Sequence, residues 1–285
     1  MQPSPLEGEG ARRADEGFFM TSLPLNPSAK KLGLVIDLDT CVGCQACATS
    51  CKEWNAQGDS GPLTDTDPQG KDVTGPWFNR IHGYEVKEQG RDDSRIVNFP
   101  RSCLHCEEPA CVTVCPTGAS YKRAEDGIVL INPDTCIGCK LCSWACPYGA
   151  REYDYTQGVM KKCTLCVDRI YNTNLEPEDQ VPACVKACPT GARHFGDLGD
   201  VNSDVSLLVK ERGGYDLLPD MGYKPTNKYL PPRARRNTAQ DHIEKLPKSD
   251  GSTMEKLFLW ADKLLSSKSA SAVANPDDHS GKLEG

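Results

Sequence analysis

Sixteen cysteines stand in four groups of four, Cys41/Cys44/Cys47/Cys51, Cys103/Cys106/Cys111/Cys115, Cys136/Cys139/Cys142/Cys146 and Cys163/Cys166/Cys184/Cys188, with none left over. Groups one and three read Cys-x2-Cys-x2-Cys-x3-Cys, and groups two, three and four end in Cys-Pro. Three thiolates at i, i+3 and i+6 on a tight loop can wrap one face of an iron-sulfur cube, while the fourth, four residues on, points toward a neighbouring cube. Four complete groups match the ligand count of four [4Fe-4S] clusters, and the chemistry is one-electron transfer. A zinc site would use two Cys-x2-Cys pairs and leave two thiols per group idle. Disulfide frameworks belong to small secreted domains, whereas this chain has 285 residues and shows no secretory leader.

The elements that position these thiols are repeated. A shift of 95 residues lays Asp39-Thr40-Cys41-Val42-Gly43-Cys44 on Asp134-Thr135-Cys136-Ile137-Gly138-Cys139, each preceded by a short apolar run, Leu34 to Ile36 and Ile128 to Ile131. A shift of 73 lays Pro109-Ala110-Cys111-Val112 and Cys115-Pro116-Thr117-Gly118-Ala119 on Pro182-Ala183-Cys184-Val185 and Cys188-Pro189-Thr190-Gly191-Ala192. The fourth group differs by 17 residues between Cys166 and Cys184 where the second has four, an insertion that must loop out. Val42-Gly43 and Ile137-Gly138 let backbone amides approach the sulfurs, and Pro116, Pro147 and Pro189 fix the chain where it leaves each site.

Linker lengths pair the groups. Twenty residues separate Cys115 from Cys136, and Ala119 to Ile131 reads as strand, Glu-Asp-Gly turn, strand. Groups two and three then form one unit, and groups one and four close around it. The expected fold is α+β: two nested bacterial-ferredoxin-like units with pseudo-two-fold symmetry, much loop, and an extended C-terminal tail with a short helix. The boundaries are a disordered segment 1–31, an outer unit 32–55 plus 160–200, an insertion 56–99, an inner unit 100–159 and a tail 201–285. With cross-ligation inside each unit, cluster one takes Cys41, Cys44, Cys47 and Cys188; cluster two takes Cys103, Cys106, Cys111 and Cys146. Cluster three takes Cys136, Cys139, Cys142 and Cys115, and cluster four takes Cys163, Cys166, Cys184 and Cys51. The alternative, each run serving its own cluster, fits the Cys-Pro ends poorly.

Net charge is -7, mean hydropathy is -0.52, and no apolar stretch approaches the length of a membrane span. With 21 prolines and 25 glycines, regular structure should be sparse. Arg12-Arg13 lacks the following apolar segment of a twin-arginine signal, and Met20 would make an ordinary start. Trp54, Trp77, Phe78 and Tyr84, with a strand-like Ile81 to Val86, mark the insertion as ordered, packed over a cluster or against a partner. Past Phe195 the cysteines stop, and Lys224 to Lys268 holds ten Lys or Arg against five Asp or Glu. Leu257, Trp260, Ala261 and Leu264 give an amphipathic helix suited to a membrane surface, a partner subunit or its own domain. Deleting 224–285 would leave every ligand in place. No nucleotide loop, phosphate loop or haem motif competes with the cysteines, so no catalytic centre is expected. His105 is placed to donate to a cluster sulfur, and Lys52, Lys140, Lys161 and Lys162 to favour cluster reduction.

With these groups in place, the chain resembles the four-cluster iron-sulfur subunits of membrane-associated molybdopterin oxidoreductases. The resemblance covers residues 32 to 200 and rests on Cys41-Val42-Gly43-Cys44-Gln45-Ala46-Cys47 with Cys51-Lys52, on Cys103-Leu104-His105-Cys106-Glu107-Glu108-Pro109-Ala110-Cys111 with Cys115-Pro116-Thr117-Gly118-Ala119, and on Cys136 through Gly149. Leu32 to Thr40 and Cys51-Lys52-Glu53-Trp54-Asn55 look most like the subunit of a cytoplasm-facing sulfite-oxidising complex. The resemblance implies a molybdopterin-containing catalytic subunit on one side, a polytopic quinone-reactive membrane subunit on the other, and no catalytic role of its own. It places the chain on the cytoplasmic face of the inner membrane, or in the periplasm if a partner with a twin-arginine leader exports it folded. A sulfur-compound or sulfoxide reductase, a formate dehydrogenase, and a freestanding polyferredoxin or hydrogenase relay are the alternatives.

Overall fold

The computed structural model describes residues 22–56, 76–87 and 94–233. Leu32-Gly33-Leu34-Val35-Ile36 is an apolar run closed by Asp37 and buried at all six positions, the pattern of a strand covered on both faces, and it forms β1 (Leu32–Asp37). It is the middle strand of a three-stranded sheet. β8 (Arg193–Asp197) pairs with it antiparallel from Leu32↔Asp197 to Ile36↔Arg193, and β9 (Lys228–Leu230) pairs parallel at Val35↔Lys228.

Around this sheet the cysteine groups alternate with hairpins. β2 (Asn79–Lys87) follows group one and pairs with β3 (Ser94–Ser102), which precedes group two. β4 (Ser120–Lys122) and β5 (Val129–Ile131) join groups two and three as the sequence predicts. β6 (Glu152–Asp154) and β7 (Val159–Lys161) join groups three and four. The pairing of β8 with β1 closes the circuit between groups four and one. Cysteines ride on short helices: α1 (Ala46–Ala56) carries Cys47 and Cys51, α2 (Ala110–Thr113) Cys111, α3 (Leu141–Trp144) Cys142 and α5 (Ala183–Lys186) Cys184. α1 packs on α5 and α2 on α3. α4 (Val167–Ile170) lies in the longer gap of group four. One apolar core joins the whole set, with Leu34 and Ile36 of β1, Leu104 of group two, Leu130 of β5, Leu165 of group four and Tyr229 of β9.

Two boundaries differ from the sequence reading. Residues 22–31 are bound to the inner hairpin: the Lys122 N–H donates to Ser22 O, Ser28 N–H to Ala124 O, and Ser22 Oγ to Gly118 O. Residues 201–233 also belong to the folded body. α6 (Asp204–Arg212) is capped by Ser203, whose Oγ accepts from Ser206 N–H, and stops at Gly213, φ 63°. Its Val205 packs on Val35 and Leu230, and its Arg212 pairs at 2.9 Å with buried Asp37 at the end of β1. Both elements were hidden by their composition: α6 is charged and weakly amphipathic, and β9 is a three-residue strand behind a proline. Met20, Arg12-Arg13, the centre of the insertion and the amphipathic stretch 254–265 lie outside the described residues. Among the described residues no helix is long and apolar enough to cross a membrane.

Candidate metal centres

The loops that present the thiols are copies in backbone as well as sequence. Groups one and three place the residues flanking their second cysteine at positive φ, Gly43 (71°) and Gln45 (61°), Gly138 (67°) and Lys140 (64°). Groups two and four instead turn just before it, at His105 (48°) and Leu165 (56°). Left-handed backbone costs a non-glycine residue about 1–2 kcal/mol, and with Cys166 itself at 50° the loops impose it at five side-chain-bearing positions. Gly138 has a second reason to be glycine, since a Cβ there would lie 2.3 Å from Gly158 O.

The thiols gather into quartets that mix groups. Cys136, Cys139 and Cys142 share one cavity with Cys115, and Cys41, Cys44 and Cys47 share another with Cys188. Cys51 is buried, and its thiol is pushed well up by that burial and by the neighbouring thiolates of Cys163, Cys184 and Cys166. Cys106 is raised by burial and then by Cys103, Cys111 and Cys146. In both cavities three thiols come from one group and the fourth from another, and the thiols that influence Cys51 and Cys106 divide in the same way. Four thiolates crowded at low dielectric are sustained only around a positive centre. Four thiols ring each of two cavities, a donor set suited to a multi-atom cluster.

Donors surround the sulfurs. Ser120 N–H reaches Cys115 Sγ at 3.4 Å and Ala192 N–H reaches Cys188 Sγ at 3.3 Å, and although burial raises both thiols these bonds with Thr117 and Thr190 hold them below the ordinary range. Met160 N–H donates to Cys136 Sγ, Leu165 N–H to Cys163 Sγ and Asn79 Nδ2 to Cys47 Sγ. Of the expected lysines, Lys161 is neutralised by Asp154 at 2.9 Å, Lys140 lies 4.0 Å over the Tyr153 ring, and Lys52 and Lys162 are buried on main-chain carbonyls. His105 is fully buried and held neutral by burial and by the charges of Lys162, Arg151 and Lys122. Its Nδ1 accepts from Val129 N–H, which puts its proton on Nε2, and Nε2 has no hydrogen-bond partner among the described residues. The sequence reading missed Arg151 and Arg193, both buried and both donating to cysteine sulfur. The signal was present: Cys146-Pro147-Tyr148-Gly149-Ala150-Arg151 is repeated as Cys188-Pro189-Thr190-Gly191-Ala192-Arg193.

Exposure grades along the set. Cys44 and Cys139 are exposed, whereas Cys47, Cys51, Cys103, Cys142, Cys163, Cys166 and Cys184 are buried, so that Cys51, Cys163, Cys166 and Cys184 form a set buried throughout. After burial, the largest influence raising Cys163 to about 12 is Cys103, so the quartets of groups four and two adjoin.

Cross-group thiol quartets joined by hairpins define an iron-sulfur protein built for electron transfer. The family described as 4Fe-4S dicluster domain matches residues 95–198, and another of the same description matches 40–120. The B subunit of sulfite dehydrogenase from Allochromatium vinosum is 58% identical over 206 residues, covering 72% of this chain and 85% of that protein. The B subunit of tetrathionate reductase from Salmonella typhimurium is 36% identical over 202 residues (70% and 72%), and the B chain of anaerobic dimethyl sulfoxide reductase from Escherichia coli 34% over 203 residues (68% and 88%). The chain belongs to this family of iron-sulfur subunits of oxidoreductase complexes.

Proposed function

We propose that the chain holds four [4Fe-4S] clusters, one per quartet, and passes electrons between a molybdopterin catalytic subunit and a quinone-reactive membrane subunit during sulfite oxidation. The observation that carries the reading is the mixed origin of each quartet. Cys188 completes the set of Cys41, Cys44 and Cys47; Cys146 that of Cys103, Cys106 and Cys111; Cys115 that of Cys136, Cys139 and Cys142; and Cys51 that of Cys163, Cys166 and Cys184. Two nested ferredoxin-like units follow, related by a pseudo-two-fold. Clusters bound there supply one-electron transfer at potentials set by charge, hydrogen bonds and exposure.

The thiol neighbours give an order of one, four, two, three. Cys51 links quartet four to the loop of quartet one, Cys103 lies beside Cys163, and Cys115 links the loop of group two to quartet three. The two ends are those with an exposed cysteine, Cys44 and Cys139, so exchange with partners occurs at these ends. His105 Nε2, buried and without a partner among the described residues, would be free to donate to a cluster sulfur. The sulfite assignment is supported by 58% identity to the B subunit of a sulfite dehydrogenase. Reduction of a sulfoxide or of tetrathionate is the second reading, favoured by the relatives so named at 34% and 36%. The chain is peripheral on the cytoplasmic face of the inner membrane, and residues 234–285 contribute to docking there.

Iron and acid-labile sulfide analysis of anaerobically purified protein tests the cluster count; fewer than about 14 irons per chain would sink it. Purifying the native complex tests the partners. A molybdenum subunit, a membrane subunit and cluster bleaching on addition of sulfite are expected. Recovery as a lone soluble chain would defeat the partner assignment, and bleaching by quinol with reoxidation by a sulfoxide or tetrathionate would establish the second reading.

A further inference from the structure

Between the two quartets of each half lies one buried guanidinium. Arg151 donates through Nη2 to Cys111 Sγ at 2.6 Å and to Ser120 Oγ at 3.0 Å, and the thiolates that favour its charge are Cys111 and Cys103 of quartet two, Cys142 of quartet three and Cys146. Arg193 donates through Nη1 to Cys184 Sγ at 3.7 Å and through Nη2 to Asn79 Oδ1 at 2.6 Å, while Asn79 Nδ2 reaches Cys47 Sγ at 3.2 Å. It thus faces Cys184 and Cys51 of quartet four and Cys47 of quartet one. Each arginine sits five residues after a cross-group cysteine in the repeated Cys-Pro-x-Gly-Ala-Arg pattern.

Neither charge is cancelled by a carboxylate among the described residues. Among the described residues the partners of Arg151 and Arg193 are thiols, a hydroxyl and an amide, and Arg151 Nη1 and Arg193 Nε are buried with no hydrogen-bond partner there. Other buried cations are answered: Lys122 pairs with Glu107, and Lys162 lies on the carbonyls of Val129 and Cys163. A buried cation without a counter-charge is costly, and guanidinium does not escape by losing its proton. The anions in reach are the thiolate quartets, whose net negative charge grows by one when an electron arrives. A fixed positive charge midway between two such sites favours the electron on either.

We propose that Arg151 and Arg193 are positioning charges that raise the reduction potentials of the cluster pair in their own half, Arg151 acting on quartets two and three and Arg193 on quartets four and one. The inference rests on the reading that clusters occupy these quartets. The reaction affected is one-electron reduction of a cluster, the electron coming from the subunit complex. No proton need accompany it, because the compensating charge is already in place.

The test is an electron-paramagnetic-resonance redox titration of the anaerobically purified full-length chain, with signals assigned by Cys44→Ser and Cys139→Ser variants. Arg151→Gln is expected to lower the reduction equilibrium constants of its two clusters at least about tenfold, about 59 mV for one electron, leaving the other pair unmoved. Arg193→Gln is expected to do the reverse, and Arg151→Lys and Arg193→Lys to recover most of the shift. Unmoved potentials in a fully iron-loaded Gln variant, or an equal shift of all four clusters, would overturn the proposal. Where a Gln variant loses iron, the Lys variant decides: retained iron with near-parent potentials supports the charge role, and loss of iron there too shows that the guanidinium only holds the fold. A parent protein with fewer than four clusters would refute the underlying reading instead.

Discussion

Asn227 is a single side chain whose removal should unsettle two halves of the molecule at once. It is fully buried in front of β9; its Oδ1 accepts from Leu34 N–H of β1 at 2.8 Å, and its Nδ2 donates to the Cys103 carbonyl at 3.0 Å. Asn227→Ala leaves a buried donor and a buried acceptor unpaired, about 1–3 kcal/mol each, so the expected loss is about 2–6 kcal/mol. For a domain of this size, that lowers the melting midpoint by roughly 5–20 °C. The assay is loss of cluster absorbance on heating under anaerobic conditions, with iron content measured before the scan. A variant that melts within about 2 °C of the parent with full iron would refute the placement of this segment in the core. Truncation offers a coarser version. A chain ending at residue 233 should keep its clusters, since every cysteine and every strand of the described residues precedes its end; one ending at 223, which the position of the ligands alone would allow, also loses fully buried Tyr229 and Leu230 and should assemble poorly. Releasing those residues returns about 1–2 kcal/mol of chain entropy each, which is why the point substitution is the sharper test.

Cys115→Ser should disturb the cluster held by Cys136, Cys139 and Cys142 and spare that of Cys103, Cys106 and Cys111; spectroscopic loss confined to the latter would show that each run serves its own cluster. Gly138→Ala should cost more than the 1–2 kcal/mol of left-handed backbone alone, because its Cβ would meet Gly158 O at 2.3 Å. Gly191→Ala, equally left-handed but with nothing within 4 Å of its Cβ, should cost only that backbone term, so equal melting shifts for the two would contradict the local geometry. Tyr229→Phe should cost about 1 kcal/mol, since its hydroxyl donates to Pro100 O at 2.9 Å while the ring remains stacked on Phe99; a chemical-denaturation shift several times larger would place more weight on that bond than the structure does.

What could be read from the sequence is what chemistry constrains at fixed spacing. Cysteine positions, the strand preceding Cys41 and the hairpin between Cys115 and Cys136 were legible because loop closure and ligand reach leave few alternatives. The third strand of the central sheet was not. Lys228-Tyr229-Leu230 is too short to show a period, and its place beside β1 is set by Asn227 and Thr226, whose hydrogen bonds reach across more than a hundred residues to Leu34, Leu104 and His105. Residues 22–31 read as disordered because polar turns resemble loose ends, yet their backbone partners lie on the inner hairpin. The arginines escape a comparison of the cysteine groups as ligand runs, two with four and one with three. Comparing groups three and four from their last cysteine onward aligns Arg151 with Arg193, and that alignment follows position relative to the interior of each pair. Ligand spacing records how the thiols reach a cluster, whereas the residues just past the last thiol record how its charge is answered, and the second pattern crosses the boundaries drawn by the first.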